Sequence, residues 1–130
     1  MASIVKEFPL NAGADRVWDA LKDFGALHTR LVPGFVTDTK LDGDIRTVTF
    51  ANGAVAKEYL VGTDDTSRRL VYGIAANDRI RHYSASAQVR GDGVGARFTW
   101  IVDVLPNELA PYISTQMDAG VAAMKKVFAI

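Results

Sequence analysis

The sequence has 130 residues, 48% of them hydrophobic, and its 15 basic and 15 acidic side chains cancel. This length suits one domain with a substantial core, and we expect a single domain over residues 1–130. The balanced charge, with no basic run longer than Arg68-Arg69 or Lys125-Lys126, argues against a nucleic-acid or anionic-membrane surface. The absence of cysteine excludes disulfides, thiolate nucleophiles and cysteine-ligated zinc.

Hydropathy along the chain predicts no membrane insertion. No apolar stretch approaches the roughly 18 consecutive residues that a transmembrane helix needs. The N-terminal residues also lack the apolar core that follows a basic start in secretory signals. We therefore expect a cytoplasmic protein.

The N-terminal third predicts one strand followed by two short helices. Apolar and polar residues alternate over 3–10, which is typical of a strand. The spacing of Val17, Trp18 and Leu21 favours a short amphipathic helix, with Trp18 in the core. A second helical piece is expected over 26–30.

From residue 35 onward, short strands are separated by turn signals at intervals of roughly ten residues, which is typical of an antiparallel sheet. The predicted strands are 35–41, 45–51, 55–62, 70–75, 83–90 and 96–105. Glycine-rich residues 91–95 join two of these strands and open no helix, so we interpret them as a hairpin turn rather than a phosphate-binding loop.

The last quarter of the chain predicts one long amphipathic helix over 107–128. Apolar residues recur there at steps of three and four. They are Leu109, Ile113, Met117, Gly120, Val121, Met124, Val127 and Phe128. The face is rich in methionine and also carries Tyr112, which suits an adaptable contact surface. Two interpretations remain: these residues pack against strands as core, or part of the face lines a cavity.

Alternation along the strands indicates which side chains face inward. Phe98 and Trp100 share one face of the last strand with Val102 and Val104, and Tyr72 lies on the apolar face of its own strand. Periodicity does not decide the orientation of Glu58. A two-residue turn at Asn52-Gly53 would place it opposite Thr47, and a three-residue loop with a glycine bulge would place it opposite Arg46. We favour the bulge.

Several short strings carry a family resemblance. They are Val17-Trp18-Asp19-Ala20-Leu21, Asp44-Ile45-Arg46-Thr47-Val48, Lys57-Glu58-Tyr59-Leu60, Leu70-Val71-Tyr72-Gly73-Ile74, His82-Tyr83-Ser84-Ala85 and Phe98-Thr99-Trp100. In these strings and in its element order, the chain resembles the START/Bet v 1-like (SRPBCC) superfamily. The resemblance is strongest to the polyketide cyclase/dehydrase-like group and more distant to the plant abscisic-acid receptors. The resemblance implies an α+β helix-grip fold. In it, a seven-stranded curved antiparallel sheet wraps around a long C-terminal helix, with two short helices after strand 1 and a hydrophobic cavity between sheet and helix.

The same resemblance implies an inward arginine at Arg46, an inward glutamate at Glu58 and a ligand-facing tyrosine at Tyr83. Buried charges are tolerated only when paired, so Arg46 and Glu58 would form a polar anchor, to which Tyr72 and Tyr83 add hydroxyl groups. The alternative is a buried salt bridge that only fixes strand register.

Two functions share this cavity. In the first, a carrier or sensor binds a small hydrophobic molecule, including lipids. Its apolar body would contact Phe98, Trp100, Met117 and Met124, with Tyr112 completing the predicted ligand-binding set. In the second, a cyclase, aromatase or dehydratase uses Glu58 as catalytic acid or base. A close Arg46 should lower the pKa of Glu58 and thus favour binding over catalysis.

Other roles find less support in the residues. His28 and His82 are far apart without a partner at ligand spacing, so we expect no metal site, and we expect no cofactor. His28 follows the first short helix, where the cavity mouth is expected, although a solvated loop histidine is the alternative. A structural role such as homodimer formation is a further possibility.

Overall fold

The computed structural model describes residues 1–129 and contains seven strands and two α-helices. The strands are β1 (Ala2–Leu10), β2 (Val36–Asp42), β3 (Ile45–Phe50), β4 (Val55–Asp64), β5 (Arg69–Ile74), β6 (His82–Asp92) and β7 (Gly95–Leu105); the helices are α1 (Ala14–Lys22) and α2 (Ala110–Val127). All neighbouring strands are antiparallel, in the order β1-β7-β6-β5-β4-β3-β2. β2 to β7 therefore form a meander, and β1 joins it beside β7.

The turn between β3 and β4 has the bulged geometry that the sequence favours. Phe50 N donates to Ala54 O at 2.9 Å, leaving a three-residue loop in which Gly53 has a φ of 88°. A positive φ of this kind is readily adopted by glycine. Arg46 consequently lies opposite Glu58 across the strand pair, and the predicted register is confirmed.

The two short helical pieces after β1 have different geometries. The first, α1, places Val17 and Trp18 in the core, as predicted, and Trp18 Nε1 donates to Asp65 Oδ1 at 2.9 Å. The second lies close to the predicted 26–30, where a 3₁₀ turn, Phe24–Ala26, runs into a single π-helical turn, Leu27–Leu31. Hydrogen-bond patterns of this type depend on tertiary packing, and residue spacing does not reveal them.

The long helix begins slightly later than predicted. A 3₁₀ turn at Asn107–Leu109 precedes α2, and Pro111 lies in the first turn of α2, where its missing N–H removes no helical bond.

Contacts with β1, at the opposite edge of the sheet from β2, attach the long helix to the sheet. Lys6 Nζ of β1 contacts Ser114 Oγ at 2.8 Å and Asp118 Oδ1 at 2.9 Å. These contacts hold α2 across the β1 edge.

Gly120 lets the helix approach the sheet closely. A Cβ atom at this position would lie 3.0 and 3.1 Å from ring carbons of Trp100 on β7. Since Cβ atoms rarely come this near to other heavy atoms, a side chain here would displace the indole. The absence of a side chain therefore sets the helix-to-sheet distance next to the cavity.

The packed core and the cavity share the inner face of the sheet. Around β1, β6 and β7 the packing is tight: Val102 and Val104 are fully buried, and the rings of Phe8 and Phe98 stack with centroids 5.2 Å apart. The lining of the cavity extends to β3, β4 and β5, where a single helix does not fill the space beneath the curved sheet. Within residues 1–129, no helix is long and apolar enough to span a bilayer.

Candidate ligand-binding site

A cavity of about 460 Å³ lies between the inner face of the sheet and α2. Pockets for small molecules commonly measure about 300 to 1,000 Å³. Its lining contains every residue predicted to bind a ligand: Arg46, Glu58, Tyr72, Tyr83, Phe98, Trp100, Tyr112, Met117 and Met124. The structure thus brings the predicted set together around one space.

Other parts of the wall were not in the predicted ligand-binding set. These include Leu21, Leu27, Leu31, Val32, Phe35, Val36, Phe50, Ile74, Asn77, Arg79, Ile80, Leu109, Ile113 and Gln116. Most belong to the short helical pieces, the strand ends and the loop between β5 and β6. Leu109 and Ile113 belong to the predicted apolar face of the long helix, but the loop residues carry no periodic pattern that would have indicated their orientation.

An ion pair lies at the inner end of the cavity. Arg46 Nε and Nη2 lie 2.8 and 2.7 Å from the same atom, Glu58 Oε1. Both residues are buried, with exposed fractions of 4% for Arg46 and 5% for Glu58. The cross-strand register set by the bulged turn brings the two side chains together.

Aromatic rings enclose the guanidinium group of Arg46. Its central carbon lies 3.8 Å from the centroid of Phe24 and 5.1 Å from that of Tyr72, and Nη1 donates to Phe24 O at 3.3 Å. Cation–π contacts of this kind are favourable where water is excluded. Phe24 therefore fixes the orientation of Arg46, a role that its position after α1 did not suggest.

The second carboxylate oxygen of Glu58 remains available. Within residues 1–129 no hydrogen bond reaches Oε2, whereas Oε1 accepts from Arg46. The fully buried side-chain atoms without a partner in that range are His28 Nδ1 and Thr39 Oγ1, so Oε2 is not among them. We infer that Oε2 faces the cavity as a hydrogen-bond acceptor.

Burial raises the pKa of Glu58 above its usual range, although the charge of Arg46 and its hydrogen bond oppose this shift. Arg46 acts on this pKa in the expected direction, but burial outweighs it, so the expected net lowering of the pKa is wrong. Moving the charged carboxylate out of water costs more free energy than its contact with one arginine recovers.

Two tyrosines and one tryptophan supply the remaining polar groups of the inner end. Trp100 Nε1 donates to the hydroxyl oxygen of Tyr72 at 3.2 Å, and the rings of Tyr72 and Tyr83 lie 6.4 Å apart. Burial raises the pKa of both phenols, and the nearby charge of Glu58 adds to the effect. Both hydroxyls therefore stay protonated and able to donate.

The mouth of the cavity is more exposed. Tyr112 of α2 is 51% exposed, and Asn52 Nδ2 lies 3.5 Å from its hydroxyl oxygen, which connects the β3–β4 turn to the helix. The β5–β6 loop contributes Asn77, Arg79 and Ile80 to the lining. His28, expected at this mouth, does not line the cavity and lies partly buried in the π-helical turn.

The curved antiparallel sheet, the long helix across it and the short helices after β1 form the helix-grip fold that is found in the START superfamily. The family described as "Polyketide cyclase / dehydrase and lipid transport" matches residues 1–129, and the chain belongs to this family. No curated protein sequence matches the chain significantly.

Solved structures show the same fold at low sequence identity. The protein XoxI from Bacillus cereus is 20% identical with a TM-score of 0.87, and the match covers 98% of this chain and 96% of that one. Norcoclaurine synthase from Thalictrum flavum, solved in complex with dopamine and hydroxybenzaldehyde, is 24% identical with a TM-score of 0.71, covering 97% and 85%. A START superfamily protein from Mycobacterium smegmatis is 12% identical with a TM-score of 0.76, covering 97% and 96%.

Proposed function

We propose that the protein binds a small hydrophobic ligand in this cavity, as a carrier or sensor, with a polar end of the ligand at the inner polar cluster. We define the inner polar cluster as Arg46, Glu58, Tyr72 and Tyr83. The observation that carries the proposal is that this buried cluster borders an unfilled, largely apolar space. A few convergent polar groups in an apolar pocket are typical of ligand sites.

A contribution to stability does not by itself explain why the buried ion pair between Arg46 and Glu58 is present. Replacing a buried ion pair by apolar residues of similar volume is often neutral or stabilising. The register of β3 and β4 is already specified by the bulged turn at Gly53, so the pair is not needed for that purpose. A free acceptor at Glu58 Oε2 and two phenolic donors instead provide groups that a ligand could satisfy.

Small aromatic molecules are reasonable first ligands to test, beside lipids. The norcoclaurine synthase structure of the same fold holds dopamine and hydroxybenzaldehyde. That observation concerns the plant protein, and it supports only the choice of probe here. The cavity of about 460 Å³ has the size of a small-ligand pocket.

Displacement of a neutral fluorescent probe tests the proposal. Nile red should bind with a dissociation constant of around micromolar, and fatty alcohols or small phenols should compete with it. Native mass spectrometry of protein purified without detergent should show a bound small molecule. If no compound displaces the probe and a crystal structure shows the cavity filled by side chains, the proposal fails.

A second candidate function is acid–base catalysis by Glu58. The observation in its favour is the pKa of this carboxyl group, which burial raises toward the range useful for proton transfer. With Oε2 facing the cavity, Glu58 could remove a proton from a carbon next to a carbonyl group. The donors Tyr72 and Tyr83 could stabilise the resulting enolate oxygen.

Deuterium exchange distinguishes catalysis from binding alone. A bound β-diketone in heavy water should exchange its acidic carbon-bound hydrogen faster with the wild-type protein than with Glu58→Gln, as followed by NMR. Equal exchange rates for the two proteins, with the diketone bound to both, would remove the catalytic role.

A cytoplasmic location and a homodimer stay predictions, and sedimentation velocity would test the dimer.

A further inference from the structure

Building on the proposed function, we propose that the ligand is a lipophilic anion, such as a fatty or aromatic carboxylate, whose charged group is bound by Arg79 at the cavity mouth. The class of ligand follows from the charges that line the cavity and from where they lie.

The charged side chains of the lining are Arg46, Glu58 and Arg79. Arg46 and Glu58 form an ion pair with each other. Arg79 takes part in none of the ion pairs found within residues 1–129. The lining therefore carries one positive charge without an acidic partner, and charge complementarity favours an anion.

The loop that carries Arg79 is well ordered by hydrogen bonds. Asn77 Oδ1 accepts from the backbone N–H groups of Arg79 and Ile80, both at 2.8 Å. Arg81 N donates to Leu105 O at 2.9 Å, which attaches the end of the loop to β7. The backbone position of Arg79 is thus fixed before a ligand arrives, which reduces the entropy cost of binding.

The inner polar cluster sets the direction in which such a ligand enters. Glu58 Oε2 presents an acceptor to the cavity, and Arg46 already donates to Oε1 and Phe24 O. A carboxylate placed there would face a second carboxylate and would lose its hydration. At the mouth, a carboxylate can contact Arg79 while keeping part of its water shell. The uncharged end of the ligand therefore lies inside, where a hydroxyl group on it can contact the inner polar cluster, and the anionic group lies outward.

The experiment compares two ligands that differ only in charge. Decanoic acid and 1-decanol should each displace Nile red near neutral pH, where the acid is ionised. Arg79→Gln should weaken the binding of decanoic acid by about fivefold, the size of one partly exposed charge contact, and leave 1-decanol unchanged. Raising the salt concentration should reduce the preference for the acid, since exposed charges are screened.

Arg81→Gln is the matched control, because Arg81 lies exposed in the same loop and does not line the cavity. It should behave as the wild type with both ligands. Equal losses in Arg79→Gln and Arg81→Gln, or no loss in either, would overturn the assignment of Arg79 while leaving the proposed function intact. Failure of both ligands to displace the probe would overturn both proposals.

Discussion

The inner end and the mouth of the cavity each carry an arginine, but in opposite surroundings. Arg46 is 4% exposed, lies between two aromatic rings and is paired with Glu58. Arg79 is exposed, sits on a loop and has no acidic partner within the described residues 1–129. The first arginine is fixed by the fold, and the second is free to meet a ligand.

The difference between the two arginines separates two contributions of the cavity residues, one to the stability of the fold and one to the recognition of the ligand. Groups at the inner end determine both stability and ligand recognition, because each buried charge depends on its partner. Groups at the mouth can change with little cost to folding, because water already solvates them. Mutations at the two ends should therefore differ in how strongly they affect unfolding and in how selectively they affect binding.

The largest effect is expected from breaking the buried pair. Glu58→Leu leaves Arg46 charged and unpaired, and should lower the free energy of unfolding by about 3 to 5 kcal/mol. Arg46→Met should cost less, because a lone Glu58 can take up a proton. The double variant should be milder than the sum of the single ones, as measured by urea unfolding in a double-mutant cycle.

Glu7→Gln provides the comparison for this cycle. Glu7 pairs with Arg97 on the exposed face of the sheet at 2.6 Å, and both side chains are nearly half exposed, at 44% and 45%. Its loss should change stability by no more than about 1 kcal/mol. Additive and negligible effects at Arg46 and Glu58 would contradict their description as a coupled buried pair.

Filling the cavity should have the next largest effect on stability. Met117 is 1% exposed and lines the cavity, so Met117→Trp should place an indole in the ligand space. We expect a loss of about 1 to 3 kcal/mol in stability and the abolition of probe binding. Ala122→Trp, on the exposed side of α2, should leave binding unchanged. Undiminished binding in a folded Met117→Trp protein would place the ligand elsewhere.

The pH dependence of stability reports on Glu58. Below its usual pKa of 4.5 the carboxyl group is protonated in both the folded and the unfolded chain. Above that pH the unfolded chain releases the proton first, so the contribution of Glu58 to stability falls until the pH passes the raised pKa of the folded state. Each unit of pKa difference corresponds to about 1.4 kcal/mol. Glu58→Gln should remove this slope, and an unchanged slope would show that other groups cause it.

The smallest effect on stability is expected at the mouth. Tyr112→Ala removes a half-exposed side chain and its contact with Asn52, and should change stability by about 0.5 kcal/mol or less. Ligand exchange should become faster, because the opening is wider, as measured by stopped-flow release of Nile red. Lys126→Ala, on the exposed side of the same helix, should leave the release rate as in the wild type.

Features that depend on the spacing of neighbouring residues or on a turn type could be predicted from the sequence. Alternation identified the inward residues Phe98 and Tyr72, which line the cavity, and the three-and-four spacing identified Met117 and Met124 on α2. The turn at Asn52-Gly53 indicated the register that pairs Arg46 with Glu58. In each of these cases, a local geometric period or turn type fixes the direction of the side chain.

Features that depend on distant packing could not be predicted. Phe24 covers Arg46 only because the 3₁₀ turn after α1 lies against β2 and β3, and no periodic pattern marks it. Arg79 reached the lining through a loop ordered by Asn77. The pKa of Glu58 was misjudged for a related reason: the sequence suggested the partner but not the depth of burial.

The bare α-carbon of Gly120 beside Trp100 makes the side chains allowed at two distant positions of the chain depend on each other. An alanine at 120 would press on the indole, and thus on the hydrogen bond from Trp100 to Tyr72 that lies next to the ion pair. Relatives with a larger residue at the equivalent helix position should therefore carry a smaller ring on the facing strand. Paired substitution at these two positions should change the cavity volume that is available to a ligand, while the charged residues stay the same.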